Sequence, residues 1–354
     1  MKKIYVKDMN ISKGSGLMNI NPFNTYKALC HIDRLEKIAK GEIVAPVTVE
    51  IDPSNRCNHN CKWCMYSEFR RRCSDMLDKT TLFDLLRDIK EMDVKSVTFT
   101  GGGEPLTNPH TGEAIQFCKE NNIDVGLVTN GGLLNKELND IIAKSCKFIR
   151  VSLDATNERD HSFLHGTMND FEKILENLYN IRVLSNKITI GVAFLVYAKN
   201  YIGLESLAHK LDDIGVDYLQ VRPVIQGISF DDASNTMAIL ENIHTEHLKI
   251  IPVMHRFREI MTGQKGFSRC LASLLIGVVG ADGNVYLCCQ FRGDSSKIIG
   301  NIHDKSFKDI WFSYEHRQLI DNIDISKCPV CRYIPYNQII EKAILEDGLH
   351  RNFL

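Results

Sequence analysis

At 354 residues the chain has room for about two domains. Its 43 Lys and Arg balance 44 Asp and Glu, and the net charge of -1 argues against nonspecific binding to nucleic acid or another polyanion. The longest apolar run, Leu271 to Ala281, falls short of the ~20 residues of a spanning helix. No apolar stretch follows the N-terminal lysines, so no signal peptide is evident and a cytoplasmic protein with no membrane partner is expected. In such a reducing setting the 12 cysteines point to metal ligation, catalysis or buried apolar filler rather than disulfides.

Apolar or β-branched runs at 47–52, 96–100, 123–129, 148–153, 188–197 and 216–221 alternate with stretches of helical spacing. In 80–92, Leu82, Leu85, Leu86 and Ile89 recur on one face, and 169–184 and 201–214 show similar patterns. Strands each followed by a helix predict parallel pairing through right-handed crossovers. Six units are too few for a closed eightfold barrel, so the expected fold is α/β, a partial (β/α)6 barrel over 46–225 after an N-terminal extension, 1–45. Chemistry then belongs at the C-terminal ends of the strands. After Arg222-Pro223 the alternation stops, and 226–265 reads as a helical linker. Two short strands, 274–280 and 284–288, meet at an Asp282-Gly283 turn, and 306–323 reads as one helix. Residues 266–354 make a small α+β domain and tail.

Directly after the first strand comes Cys57-x3-Cys61-x2-Cys64. Three thiolates on such a loop can hold three irons of a 4Fe–4S cluster and leave the fourth open to a substrate or cofactor. Zinc, with His59 as a further ligand, is the alternative on spacing alone. A second group, Cys270, Cys288, Cys328 and Cys331, surrounds the hairpin and the chain beyond it. There structural zinc and a second iron–sulfur cluster compete equally on spacing.

The CxxxCxWC loop, followed at the end of the second strand by Gly101-Gly102-Gly103-Glu104-Pro105, resembles the radical S-adenosylmethionine (AdoMet) superfamily. The resemblance implies that Cys57, Cys61 and Cys64 carry a catalytic 4Fe–4S cluster and that AdoMet is cleaved to a 5′-deoxyadenosyl radical. It places Trp63 near the adenine and Gly102, Gly103 and Glu104 at the methionyl amino group. Asn130, Ser152, Asp154 and the backbone of Leu195, on the third to fifth strands, become further AdoMet contacts. An external one-electron reductant such as flavodoxin or ferredoxin is implied as a partner. The C-terminal segment resembles the twitch form of the SPASM auxiliary-cluster domain, which makes Cys270, Cys288, Cys328 and Cys331 ligands of a second 4Fe–4S cluster. Cys288 fits the spacing better than Cys289, and no cysteine follows Cys331, so a single auxiliary cluster is implied.

That combination resembles 2-deoxy-scyllo-inosamine dehydrogenase and related carbohydrate-modifying enzymes, with the auxiliary cluster as electron acceptor. Residues 1–45 are too few for a peptide-recognition domain, so the expected substrate is a small molecule: a sugar, aminocyclitol or sugar nucleotide. A peptide or protein substrate is the alternative, and a non-catalytic metal-binding protein the second. Arg222 is a candidate substrate or AdoMet contact or a structural ion pair. Arg70, Arg71 and Arg72 read as a solvated basic loop, the histidines receive no role, and Cys30, Cys73, Cys118 and Cys146 read as filler or surface thiols.

Overall fold

The computed structural model describes residues 23–197, 199–224 and 230–345; readings made for the rest of the chain lie outside the described residues. All six expected strands are present: β1 Thr48–Ile51, β2 Ser96–Phe99, β3 Asp124–Thr129, β4 Phe148–Ser152, β5 Thr189–Val196 and β6 Tyr218–Pro223. Helix α1 Ile32–Ala39 precedes them. The crossovers carry α2 Ser67–Arg72, α3 Lys79–Glu91, α4 Thr111–Glu120, α5 Lys136–Ser145, α6 Glu158–His165, α7 Phe171–Leu184 and α8 Leu204–Asp213. Consecutive strands pair in parallel, in chain order.

The period of two sorts each strand's side chains between two faces. Val49, Ile51, Val97, Phe99, Leu219 and Val221 lie buried in one apolar core with Leu82, Leu85, Leu86 and Ile89 of α3. The alternate positions, Glu50, Asp52, Arg150, Ser152, Gln220 and Arg222, share the inner face with the strand-end loops. Polar residues can occupy that face because it is where a ligand is received. Its lower part is filled by Tyr218, whose ring covers Gly191; a Cβ on Gly191 would sit 2.0 Å from that ring.

Residues 226–265 hold more than helices. Between α9 Phe230–Leu240 and α10 Met254–Thr262 runs β7 Lys249–Pro252, a seventh strand parallel to β6. It is four residues long and ends in proline, which leaves little strand signal. Pro252 is tolerated because β7 is an edge strand. At the other edge, β8 Ile276–Val279 pairs in parallel with β1, and β9 Asn284–Tyr286 and β10 Ile298–Asn301 continue antiparallel. The ten strands therefore form one sheet, β10-β9-β8-β1-β2-β3-β4-β5-β6-β7, and the C-terminal hairpin extends the barrel sheet.

The helix expected over 306–323 is two, α11 Phe307–Trp311 and α12 Tyr314–Asp321, because Ser313 caps the second by accepting a hydrogen bond from His316 N. Trp311 Nε1 donates to Val44 O at 2.7 Å, which fastens α11 to the chain entering β1. No helix among the described residues is long and apolar enough to cross a membrane.

Candidate active site

Cys57, Cys61 and Cys64 lie on the loop between β1 and α2, all partly buried. Nitrogen atoms from several elements face their sulfurs. His59 N lies 3.4 Å and Asn130 Nδ2 3.7 Å from Cys57 Sγ, Arg70 Nη1 3.5 Å from Cys64 Sγ, and His165 Nδ1 3.5 Å from Cys61 Sγ. Burial pushes the Cys57 and Cys61 thiols up, and each is raised further by its neighbouring cysteine sulfurs. Three cysteines on one loop, with N–H donors beside Cys57 and Cys64, fit a cationic cluster that would hold all three as thiolates. Arg70 thus belongs to the site, while Arg72 pairs on the surface with Glu68.

Gly102 and Gly103 pack against the segment that enters this loop. A Cβ on Gly103 would lie 2.2 Å from Arg56 O, and Glu104 N donates to that same carbonyl at 2.8 Å. The close approach that glycine permits here is to the chain's own backbone. Glu104 is buried, and its carboxylate accepts from Thr129 Oγ1 at 2.7 Å, Asn130 N at 2.8 Å and Leu106 N at 3.0 Å. Desolvation raises its pKa to about 7 despite these donors. Glu104 therefore clamps the end of β2 to the end of β3, and Asn130, oriented by that clamp, reaches Asn58 Oδ1 at 2.8 Å as well as Cys57.

On β4 and β5 the expected contacts divide. Ser152 stands half-buried on the inner face, in register with Ala193. Asp154 takes a left-handed conformation, φ 53°, which aspartate tolerates better than most residues. Its Oδ1 accepts from Leu195 N at 2.7 Å, and Asn200 Nδ2 donates to both Asp154 O and Leu195 O at 2.8 Å. The Leu195 backbone and the Asp154 carboxylate are thus partners of each other. Trp63, half-buried, stands edge-on to His165 and tilted against Tyr197, with centroids at 5.7 and 5.4 Å. Arg222 lies beside Leu195 in register; Asp154 attracts it electrostatically, but no described carboxylate reaches it at ion-pair distance.

Sequence reasoning missed a histidine group behind Cys61. His161 and His165 stand one turn apart on α6, an HxxxH pair that was legible and passed over. His59 Nδ1 lies 3.2 Å from His165 Nδ1, His59 Nε2 3.0 Å from Asp170 Oδ2, and His165 Nε2 3.3 Å from Asp154 Oδ2. The chain Asp170–His59–His165–Asp154 thus runs behind the loop. Burial and the neighbouring His165 lower His59 to about 4 and His161 to about 3, so both are neutral at pH 7. The ligand atoms of His59, Cys61 and His165 lie within 4.8 Å of one another, the arrangement on which a zinc alternative would draw.

In the C-terminal part, Cys270 acts electrostatically on Cys288, Cys328 and Cys331, raising all three after burial or hydrogen bonding has done so. Cys331 N is held by Glu259 Oε2 at 2.7 Å, and Tyr333 N donates to Cys331 Sγ at 3.3 Å. Cys270 therefore lies within electrostatic reach of the other three cysteines. Cys289 hydrogen-bonds through its side chain with Cys288, which lowers its pKa to about 6, and its sulfur also lies 3.8 Å from both Arg332 Nη1 and Tyr333 Oη. Arg332 donates to Glu50 Oε1 at 2.7 Å, and Arg292 donates to Glu50 Oε2 at 3.1 Å and Asp52 Oδ1 at 2.9 Å. Burial alone would raise Glu50, but Arg332 and Arg292 outweigh it and hold its carboxyl below the usual range. Tyr66 Oη, near the first cysteine loop, donates to Cys289 O at 2.9 Å. Both cysteine groups are thereby fastened to β1.

Comparison with known proteins agrees with this division. Residues 51–211 match the radical SAM superfamily and 270–333 the SPASM iron–sulfur cluster-binding domain. The chain is 24% identical to the tungsten-containing aldehyde ferredoxin oxidoreductase cofactor-modifying protein of Pyrococcus furiosus, over 79% of this chain and 86% of the relative. It is 23% identical to the mycofactocin maturase MftC of Mycobacterium ulcerans, over 81% and 80%. Streptococcus suis SuiB bound to precursor peptide SuiA shares the fold, with TM-score 0.65 and 17% identity over 89% of this chain and 76% of SuiB. The structure of BtrN with AdoMet and 2-DOIA reaches only 0.44, so the expected resemblance to 2-deoxy-scyllo-inosamine dehydrogenase is distant and carries no weight.

Proposed function

The chain carries a radical SAM domain followed by a SPASM domain, and from that premise we propose that it is a radical AdoMet enzyme acting on a peptide or protein. Cys57, Cys61 and Cys64 would hold the catalytic 4Fe–4S cluster, and Cys270, Cys288, Cys328 and Cys331 an auxiliary one. When bound, the first cluster supplies the electron that splits AdoMet into methionine and a 5′-deoxyadenosyl radical able to abstract hydrogen from the substrate. An external one-electron donor, a flavodoxin or ferredoxin, would recharge it. The observation that carries the reading is the set of nitrogen groups facing the three loop sulfurs: Asn130, Arg70 and the His59 backbone as donors, and the His165 ring.

The chain's own residues position and shield. Glu104 fixes the β2 and β3 ends, so Asn130 keeps its place beside Cys57. Asp154 ties the end of β4 to β5 at Leu195, leaving Ser152 and Trp63 as half-buried surfaces against which AdoMet would lie. The buried histidines keep water from the back of Cys61. Four thiolates would saturate the auxiliary cluster, which suits it to accept an electron from a substrate radical rather than bind substrate.

A peptide substrate is favoured over the small molecule first expected because SuiB, of the same fold, is bound to a precursor peptide. A small-molecule reading stands second, supported by the cofactor-modifying relative. The deciding experiment incubates reconstituted, reduced protein anaerobically with AdoMet and deuterated candidates. Peptides should pass deuterium into 5′-deoxyadenosine, with a product two hydrogens lighter if the reaction is an oxidation. Transfer from sugars or a cofactor precursor alone would replace the peptide reading with the second one. No 5′-deoxyadenosine from any source would reject both.

A further inference from the structure

The inner face holds more positive charge than its carboxylates take up. Glu50 and Asp52 are shared between Arg292 and Arg332, while Asp154 accepts from Leu195 N and attracts Arg222 without reaching ion-pair distance. Three further arginines converge on the same space. Arg150 comes from β4, Arg222 from β6, and α10 brings Arg256 within electrostatic reach of Arg150 and Arg332. Arg150 and Arg256 are only 7% and 8% exposed, and Arg222 stands half-buried at the mouth.

None of the three forms an ion pair with a carboxylate among the described residues. The Nε atoms of Arg150 and Arg222 are buried without any hydrogen-bond partner, and Arg150 Nη1 reaches only Gln220 Oε1, at 3.5 Å. A guanidinium does not shed its proton near neutral pH, so the site buries repelling charges with donors unsatisfied. Burial and mutual repulsion outweigh the attraction of Asp154 and push Arg222 well down, and they lower Arg256 to about 10. Such a group is unfavourable by itself and becomes favourable when an anion enters. Below it Tyr218, packed on Gly191, closes the space; above it lie Ser152 and Leu195, the surfaces read as AdoMet contacts.

We infer that Arg150, Arg222 and Arg256 form a pocket for an oxyanion of the substrate, a carboxylate or a phosphate, seated on the inner face next to the AdoMet surfaces. Guanidinium forks match both anions in two-point contacts. This rests on the inner face being the substrate site, as proposed above. With a peptide substrate, the anion is an acidic side chain, the C-terminal carboxylate or a phosphorylated residue. The pocket then determines which residue is presented to the radical.

Reconstituted protein saturated with AdoMet is titrated calorimetrically with N-acetylglutamate and with inorganic phosphate, at constant ionic strength in chloride. One of the two should bind at a single site, and which one assigns the carboxylate or phosphate source. Arg150→Gln and Arg222→Gln should each weaken that binding at least about tenfold while AdoMet affinity stays unchanged. Without anion, Arg222→Gln should melt no lower than the wild type, because it removes an uncompensated charge, and the anion should no longer raise its melting temperature. Equal anion binding by variants and wild type, no binding of either anion, or an equal loss of AdoMet affinity would overturn the pocket. So would a lower-melting variant that still binds the anion. The titration does not read 5′-deoxyadenosine, so failure of the peptide assay and failure of the pocket are separate results.

Discussion

Cys288 and Cys289 are adjacent in the chain and hydrogen-bonded to each other, yet Cys288 also feels Cys270 while Cys289 also packs against Arg332 and Tyr333. Cys288→Ala should therefore remove about four irons from reconstituted protein, while Cys289→Ala should keep the full complement by iron assay; the reverse pattern would exchange their roles. Spacing favoured Cys288, but only packing separates the two environments. The three loop cysteines and the glycine run were readable because their order is itself the signal. Arg70 and His165 were not credited, and His59 only as a zinc ligand, because their value lies in contacts made across the fold. His161 supports a second prediction. It is fully buried, stacked on His165, and neither ring nitrogen has a partner. His161→Phe should stabilise the protein by about 1–3 kcal/mol, since an unpartnered buried polar group costs that much. It should also blunt acid lability. With folded values depressed below 6.5, His59 and His161 contribute stability that is complete above pH 6.5. That stability is lost as pH falls toward about 4 for His59 and about 3 for His161. The slope is at most about 1.4 kcal/mol per pH unit per histidine. Denaturation of apo wild type and variant between pH 7 and 4.5 checks this, and parallel slopes would discount His161.

At the level of elements, the C-terminal hairpin is joined to the barrel through both backbone and charge. β8 pairs with β1, and Arg292, just beyond β9, reaches Glu50 and Asp52 of the β1 segment. Arg292→Ala would leave Glu50 with only Arg332 and Asp52 without a cation. Breaking a buried pair in this way should cost about 3–5 kcal/mol, read by anaerobic denaturation. A loss below about 1 kcal/mol, the worth of an exposed pair, would mean that water reaches these carboxylates. This junction explains which elements were legible. β1 to β6 are apolar runs between amphipathic helices, and the local pattern suffices. β7 has four residues and a proline, and it exists because β6 offers an open edge. The parallel pairing of β8 with β1 joins segments more than two hundred residues apart, and no local periodicity encodes it.

For the whole molecule, the decisive property is that two cysteine groups are built on different elements and meet through β1 and Tyr66. The first is carried by the β1–α2 loop and braced by Asn130, Arg70 and His165. The second is carried by the loops around β8 and β9 and by the segment after α12, with Glu259 bracing Cys331. Neither group needs a sulfur from the other, so the two should load independently. Anaerobically reconstituted protein should bind about eight irons. Replacing Cys57, Cys61 and Cys64 together by Ala should leave about four and abolish 5′-deoxyadenosine formation. The variant should also stay folded, because the ion pairs of Glu50 and Asp52 with Arg292 and Arg332 use no side chain of the three replaced cysteines. Loss of all iron in the triple variant would mean that the groups assemble as one unit across β1. Retention of about eight would place the catalytic centre elsewhere. A colourless wild type holding zinc would instead assign the first metal to His59, Cys61 and His165, whose ligand atoms already lie within 4.8 Å of one another.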